Sequence, residues 1–113
     1  ITLGDNAAAS GSWESLIFDN GDPASDMLAL EVVVEFEALA SGQSITPKYK
    51  LDRTASFTNG TAVSTVGAVE AKAWIHTLCK EAEWGFNVAS TGGTFPKITA
   101  VKFLFDDLSE EFN

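Results

Sequence analysis

The alternation of apolar and charged residues is clearest in the stretch LEVVVEFEAL, residues 30–39. Apolar side chains occupy every second position from Leu30 to Ala38, and glutamates lie between them, with Val33 as the exception. Successive side chains of a β-strand point to opposite faces of the sheet, so this pattern is typical of a half-buried strand. The run of β-branched valines favours a strand further.

The stretch SITPKYKLDRTASF, residues 44–57, raises the question of a binding patch, because Lys48, Lys50 and Arg53 lie close together in an acidic chain. From Ile45 to Leu51 apolar side chains again take every second position, and the two lysines lie between them. We interpret the basic residues as the solvated polar face of a strand rather than as a ligand site.

The loop between these two strands, SGQ (41–43), is short. We therefore expect the strands to pair antiparallel in one sheet. Glu31, Glu35 and Glu37 would then face Lys48 and Lys50 across the ladder, where opposite charges help to fix the register.

Further strand-like segments recur along the chain, and turn-rich segments separate them. The strand-like segments are residues 13–19, 71–78, 81–90 and 95–108, and the turn-rich ones are 19–26, 58–68 and 90–94. No segment has helical periodicity. The pattern predicts an all-β fold, an antiparallel β-sandwich that is jelly-roll-like, as in carbohydrate-binding modules. We expect an N-terminal arm or linker over residues 1–12 and a single sandwich domain over residues 13–113.

Composition limits the classes of function. The chain has 113 residues, 45% of them apolar, and a formal net charge of −9. This charge repels phosphates, so we expect neither nucleic-acid binding nor a basic membrane anchor. No apolar run approaches the roughly 18–20 residues of a membrane-spanning helix. The single cysteine, Cys79, excludes a disulfide within the chain.

Catalytic motifs are missing from the sequence: there is no nucleophile elbow, phosphate-binding loop or zinc-protease motif. His76 and Cys79 have no third ligand at zinc spacing, and we interpret them as structural residues. The carboxylates of the acidic C-terminal segment, residues 106–111, are interpreted as a solvated tail. We predict no enzymatic activity, no catalytic residue and no cofactor.

Two groups of residues remain as candidate sites. The segment DNGDPASD offers oxygen ligands for calcium from Asp19, Asn20, Asp22 and Asp26, although its spacing is not that of an EF-hand, and the same residue types favour turns.

The tryptophans form the second group. Trp84 alternates in phase with Phe86 and Val88 and is expected in the core. Trp13 and Trp74 are candidates for a glycan-stacking platform or a protein interface, depending on their exposure.

Three segments, in order, resemble a known module. They are WESLIFDNGDP, then ITPKYKLDRTASFTNGT, then CKEAEWGFNVASTGGTFPKITAVKFLFDDLSEEF. Together, over roughly residues 13–112, they resemble a β-sandwich module of tailed-bacteriophage structural proteins. The resemblance implies a jelly-roll or carbohydrate-module-like sandwich that serves assembly or surface display, and it carries over no catalytic residue.

Two functional hypotheses follow. The first is a non-enzymatic virion protein, a tail component or tail-protein module, whose partners are further copies of itself and other virion proteins. The second is a carbohydrate-binding module that recognises glycans, such as those of a host surface, through exposed tryptophans. Because one fold supports both, the exposure of Trp13 and Trp74 is the feature that separates them. A hydrolase is a third and weaker hypothesis, since no nucleophile–base pair is visible.

Overall fold

The computed structural model describes residues 9–19, 26–92 and 94–107, which form two antiparallel β-sheets packed against each other. Their strands are β1 (Ala9–Glu14), β2 (Met27–Phe36), β3 (Gln43–Leu51), β4 (Thr58–Asn59), β5 (Glu70–Cys79), β6 (Ala82–Ser90) and β7 (Ile98–Asp107). The four-stranded sheet has the order β1-β6-β3-β4, and the three-stranded sheet has the order β5-β2-β7. Every connection except that from β3 to β4 passes from one sheet to the other. The predicted all-β, antiparallel sandwich is confirmed.

The central strand β2 supplies much of the core. Met27, Ala29, Val32 and Val34 are each at most 2% exposed. Their phase changes between Ala29 and Val32, because β2 carries an extra residue, Leu30, relative to β7 at this point. This β-bulge lets two apolar sets of opposite parity face the same core. It also explains why the predicted strand began at Leu30 whereas β2 begins at Met27: the alternation of apolar residues does not continue across the bulge.

The two sheets are aligned so that β5 lies under the β3–β4 side and β7 under the β6–β1 side. Gly60, which follows β4, is so close to β5 that a Cβ there would lie 2.7 Å from the Cβ of Ala73. On the other side, the Trp84 ring stacks on Phe103, with centroids 4.5 Å apart. Phe18 packs against both rings. The expected core position of Trp84 is confirmed, since it packs partly buried against the core.

The predicted pairing of β2 with β3 is wrong, because the two strands lie in different sheets. Glu35 instead pairs with Lys102 of β7, at 3.1 Å, and Lys50 of β3 pairs with Glu83 of β6, at 3.6 Å. The reason lies in residues 37–42, which cross the sandwich rather than form a hairpin.

Two features hold this crossing. Leu39 is buried in the core at 2% exposure. The Gln43 side chain accepts a hydrogen bond from the Ala40 amide and donates one to the Thr94 carbonyl, which ties the crossing to the segment before β7.

The first strand begins earlier than predicted. β1 covers Ala9–Glu14, so residues 9–12, expected in the arm, lie in the four-stranded sheet, whereas of residues 13–19 only the first two do. Phe18 forms only an isolated bridge with Ala82. Gly85 permits the close approach of β1, since a Cβ there would lie 2.0 Å from the Trp13 carbonyl oxygen.

Candidate functional site

The two candidate tryptophans do not share a surface. Trp13 lies in β1, at the edge of the four-stranded sheet, and is 45% exposed while its ring stacks on Phe86 at 5.9 Å. Trp74 lies in β5, at an edge of the three-stranded sheet. Because β1 lies on the β7 side, the two indoles are at opposite edges of the sandwich and cannot form one platform.

Trp74 is the most exposed aromatic residue among the described ones, at 70%. Its ring stacks on that of His76, with centroids 3.8 Å apart and planes 14° apart. His76 has a φ of 48°, in the left-handed region, where β5 has an extra residue relative to β2. The two rings therefore stack face to face on the outside of the sandwich, next to the bulge.

Trp74 and His76 belong to a larger surface, which we call the outer apolar face and define as Leu28, Trp74, His76, Leu78 and Leu104. Leu78 of β5 is directly opposite Leu28 of β2, and Trp74 and Leu104 flank Glu31 of β2 on its two sides. Leu78 is 54% exposed and Leu104 41%. Exposed apolar side chains that cluster in this way mark binding surfaces more often than isolated ones do.

Charges surround and interrupt this face. At one end, Lys102 pairs with Glu35 of the neighbouring strand, and Lys72 pairs with Glu70 of its own strand, at 3.1 and 3.5 Å. Glu31 lies between Trp74 and Leu104, and no described side chain donates a hydrogen bond to it. The face therefore offers flat apolar surface with one open carboxylate in the middle.

A second surface lies on the outside of the four-stranded sheet. Strands β1, β6 and β3 form an open groove of about 560 Å³, lined by Ser10, Gly11, Ser12, Ser44, Thr46, Asn87, Val88 and Ala89. Next to it, Lys48 donates hydrogen bonds to Glu14 and Asn87, at 2.5 and 3.0 Å. The groove is polar, with small side chains.

Lys48 was predicted on a solvated face, and that prediction is wrong, since it is only 5% exposed. Glu14 of β1 covers its ammonium group, and the Phe57 ring lies 4.6 Å from it. The neighbouring basic residue Arg53 is instead in a turn, where its guanidinium group binds Glu81 through two hydrogen bonds of 3.0 Å. The three basic residues therefore form separate ion pairs, although the Phe57 ring lies 4.6 and 5.0 Å from the ammonium groups of Lys48 and Lys50.

Cys79 and His76 point to opposite sides of their sheet. The Cys79 thiol is buried in the core, and desolvation raises its pKa to about 11. It is therefore protonated near neutral pH and a poor nucleophile. Within the described ranges, no group of three or more acidic, histidine or cysteine side chains is arranged to hold a metal ion.

The proposed calcium ligands fall only partly within the described residues. Asn20 and Asp22 lie outside them. The carboxylate of Asp26 accepts a hydrogen bond of 2.6 Å from Lys80, whose pKa is raised mainly by this bond. Of the C-terminal carboxylates, Asp106 is exposed at the end of β7, and residues 108–113 lie outside the description.

Sequence reasoning missed the leucines of the outer apolar face. Leu104 lies between two phenylalanines of β7, and an uninterrupted apolar run indicates a strand that is apolar on both faces. Leu78 has the same parity in β5 as Trp74, so alternation counted from Trp74 could have placed it on the outer face.

In the described part of the chain, no helix has the length and apolar character needed to cross a membrane. No protein-family model matches the sequence, and no curated protein is significantly similar to it.

Proposed function

We propose that this chain is a non-enzymatic structural module of a bacteriophage virion, a tail component or tail-protein module, that acts by protein–protein assembly. The observation that carries the proposal is the outer apolar face, where Trp74, Leu78 and Leu104 are exposed together on the outside of the three-stranded sheet. An aromatic anchor beside aliphatic side chains is the usual centre of a protein interface.

The resemblance to tailed-phage modules supplies the biological setting. Its motifs correspond to ordered parts of the fold: KYKLDR enters the turn after β3, EAEWGF is the start of β6, and FPKITAV leads into β7. Virion proteins are commonly symmetric oligomers, so one apolar face can be reused around an axis. The net charge of −9 keeps unassembled subunits soluble and apart.

Immunogold labelling tests the proposal. Antibodies against the purified chain are applied to density-purified particles from the bacterial culture that produces the virus encoding it. We expect label at one structure of the particle, and antibody pre-absorbed with the chain should abolish it. Antigen found only in the soluble fraction would refute the virion assignment.

A pair of matched substitutions tests the role of the face. Trp74→Arg replaces the aromatic residue of this face by a charge, and Val66→Arg introduces the same charge at a loop position of similar exposure, 64% against 70%. We expect at least a tenfold loss of incorporation into particles for Trp74→Arg and no loss for Val66→Arg. Equal incorporation of both variants would show that assembly does not depend on the outer apolar face.

Carbohydrate binding is the second candidate, and the Trp74–His76 stack favours it. The indole face that His76 does not cover can stack on a sugar ring. The carboxylate of Glu31 on the neighbouring strand, which accepts no hydrogen bond from the described side chains, can accept hydrogen bonds from the sugar hydroxyls. A glycan array distinguishes the hypotheses. Binding that Trp74→Ala removes and Trp13→Ala retains would favour glycan recognition, and an array without signal would leave assembly as the function.

A further inference from the structure

The free edge of β7 is long and regular. β7 pairs with β2 on one side, and among the described residues no backbone hydrogen bond reaches its other side. Its one extra residue relative to β2 is Thr99, at its start, so residues 100–107 run without interruption. An open strand of this kind presents unpaired amide and carbonyl groups to another strand.

The opposite edge of the same sheet differs. β5 is also ten residues long, but its bulge at His76, with the positive φ, interrupts the edge in the middle. Bulges are a common device against edge-to-edge pairing. Of the two edges of the three-stranded sheet, β7 is therefore the one suited to accept a strand.

The β7 edge is also apolar. Phe103 and Phe105 point to the core but remain partly exposed, unlike the fully buried Val32 and Val34 of the central strand. Leu16, next to the segment that packs on these rings through Phe18, is 90% exposed. A neighbour at this edge would cover side chains that the described residues leave partly open to water.

The charges of β7 select one register for pairing with another copy of itself. Lys102, Leu104 and Asp106 share the outer face of the strand. An antiparallel pair centred on Leu104 places Lys102 opposite the partner subunit's Asp106, twice by symmetry, and Leu104 opposite the partner's Leu104. A pair centred on Lys102 would oppose two like charges, which is unfavourable. A shift by one residue places Lys102 opposite Phe105 or Asp107, which have the parity of the core-facing residues, and would join the outer face of one sheet to the core face of the other.

From this edge we infer that the chain forms a twofold-symmetric dimer in which β7 of two copies pair antiparallel, centred on Leu104. The two three-stranded sheets then become one continuous six-stranded sheet. Both outer apolar faces lie on the same side of it, so the dimer presents a Trp74 from each subunit to further partners. The inference rests on the proposed assembly function and names its first partner, a second copy of this chain.

Cysteine cross-linking tests the register. Opposed residues of an antiparallel pair have Cα atoms about 4.5–5.5 Å apart, within reach of a disulfide. Leu104→Cys should therefore form a covalent dimer with oxidised glutathione. Ala100→Cys is the control, because it keeps both charges and its two copies would lie about 26 Å apart along the strand, so it should cross-link at least tenfold more slowly. The native Cys79 is buried and should not contribute.

Exchanging the charges of Lys102 and Asp106 tests whether they determine the register centred on Leu104. Sedimentation velocity over a range of concentrations should give a dimer for the natural chain. Lys102→Asp and Asp106→Lys should each raise the dimer dissociation constant about 10-fold or more. The double exchange should dimerise more tightly than either single variant but less tightly than the natural chain, because Lys102 also pairs with Glu35 of its own subunit, at 3.1 Å. Circular dichroism checks that each variant remains folded.

Three outcomes overturn the inference. They are a natural chain that stays monomeric, equal cross-linking by the two cysteine variants, and a dissociation constant that the charge exchanges do not change. Each leaves the virion assignment standing if antibodies still label the particle. Conversely, a correct dimer from a chain absent from the particle would refute the virion assignment alone.

Discussion

At the scale of single residues, Lys48 shows how a charge in the polar phase of a strand becomes buried. Its strand neighbour across the ladder is Gly85, which has no side chain, so β1 can lie close enough for Glu14 to cover the ammonium group. Phe57 covers it from the other direction. Alternation predicted which way Lys48 points, but not what lies above it.

Lys48→Ala removes an ammonium group that bridges Glu14 and Asn87. Because Glu14 is half exposed and can rehydrate, we expect a loss of about 1–3 kcal/mol in the free energy of unfolding, measured in urea. Lys97→Ala is the control, since the Lys97–Glu37 pair is exposed on both sides, and it should cost less than about 0.5 kcal/mol. Equal losses would contradict the structural role given to Lys48.

Cys79 predicts a pH dependence. Burial raises the pKa of its thiol to about 11, from an ordinary value of 9.0. The thiol therefore loses its proton at a lower pH in the unfolded chain than in the folded one. Its contribution to the free energy of unfolding is complete below pH 9 and is lost as the pH rises toward 11. Cys79→Ala has no such contribution. The stability difference between the two proteins should thus shrink from pH 8 to pH 10.5, and a constant difference would contradict the assignment.

At the scale of elements, the connection from β5 to β6 depends on a residue far away in the sequence. Asp52 and Arg53 have φ values of 51° and 57°, which form a tight turn after β3. The Asp52 carboxylate accepts hydrogen bonds from the amides of Lys80 and Glu81, at 2.8 and 3.0 Å. The Asp52 side chain thus links the turn after β3 to the segment that connects β5, in the other sheet, to β6.

Asp52→Ala should remove both hydrogen bonds and strain the left-handed backbone, at a cost of about 1–3 kcal/mol in the free energy of unfolding. Asp52→Asn keeps an acceptor oxygen and tolerates the positive φ, so we expect a cost within about 1 kcal/mol. Urea denaturation of both variants measures the difference. If asparagine were as damaging as alanine, the carboxylate charge rather than the hydrogen bonds and backbone would be responsible.

At the scale of the whole molecule, local patterns predicted the strands and the sandwich class but not the pairing of strands. Alternation identified β2, β3, β6 and β7, and strand-like residue content identified β5, because both depend only on neighbours in the sequence, as from Ile45 to Leu51. The pairing of β2 failed because residues 37–42 cross the sandwich, and that depends on Leu39 and Gln43 meeting distant partners.

The candidate site shows the same limit. Trp74 could be singled out from the sequence, but its stack on His76 and its separation from Trp13 could not. The stack requires the bulge in β5, and the separation requires the strand order of both sheets. Neither the bulge nor the strand order can be predicted from neighbouring residues in the sequence.

In the proposed assembly, this chain binds its neighbours through the three-stranded sheet. Electron cryo-microscopy of the virus particle to which we assign the chain is the most direct test. We predict repeated copies in which the β7 edge and the outer apolar face both contact neighbouring subunits. A particle that lacks the chain, or that contains it with both surfaces open to solvent, would contradict this claim.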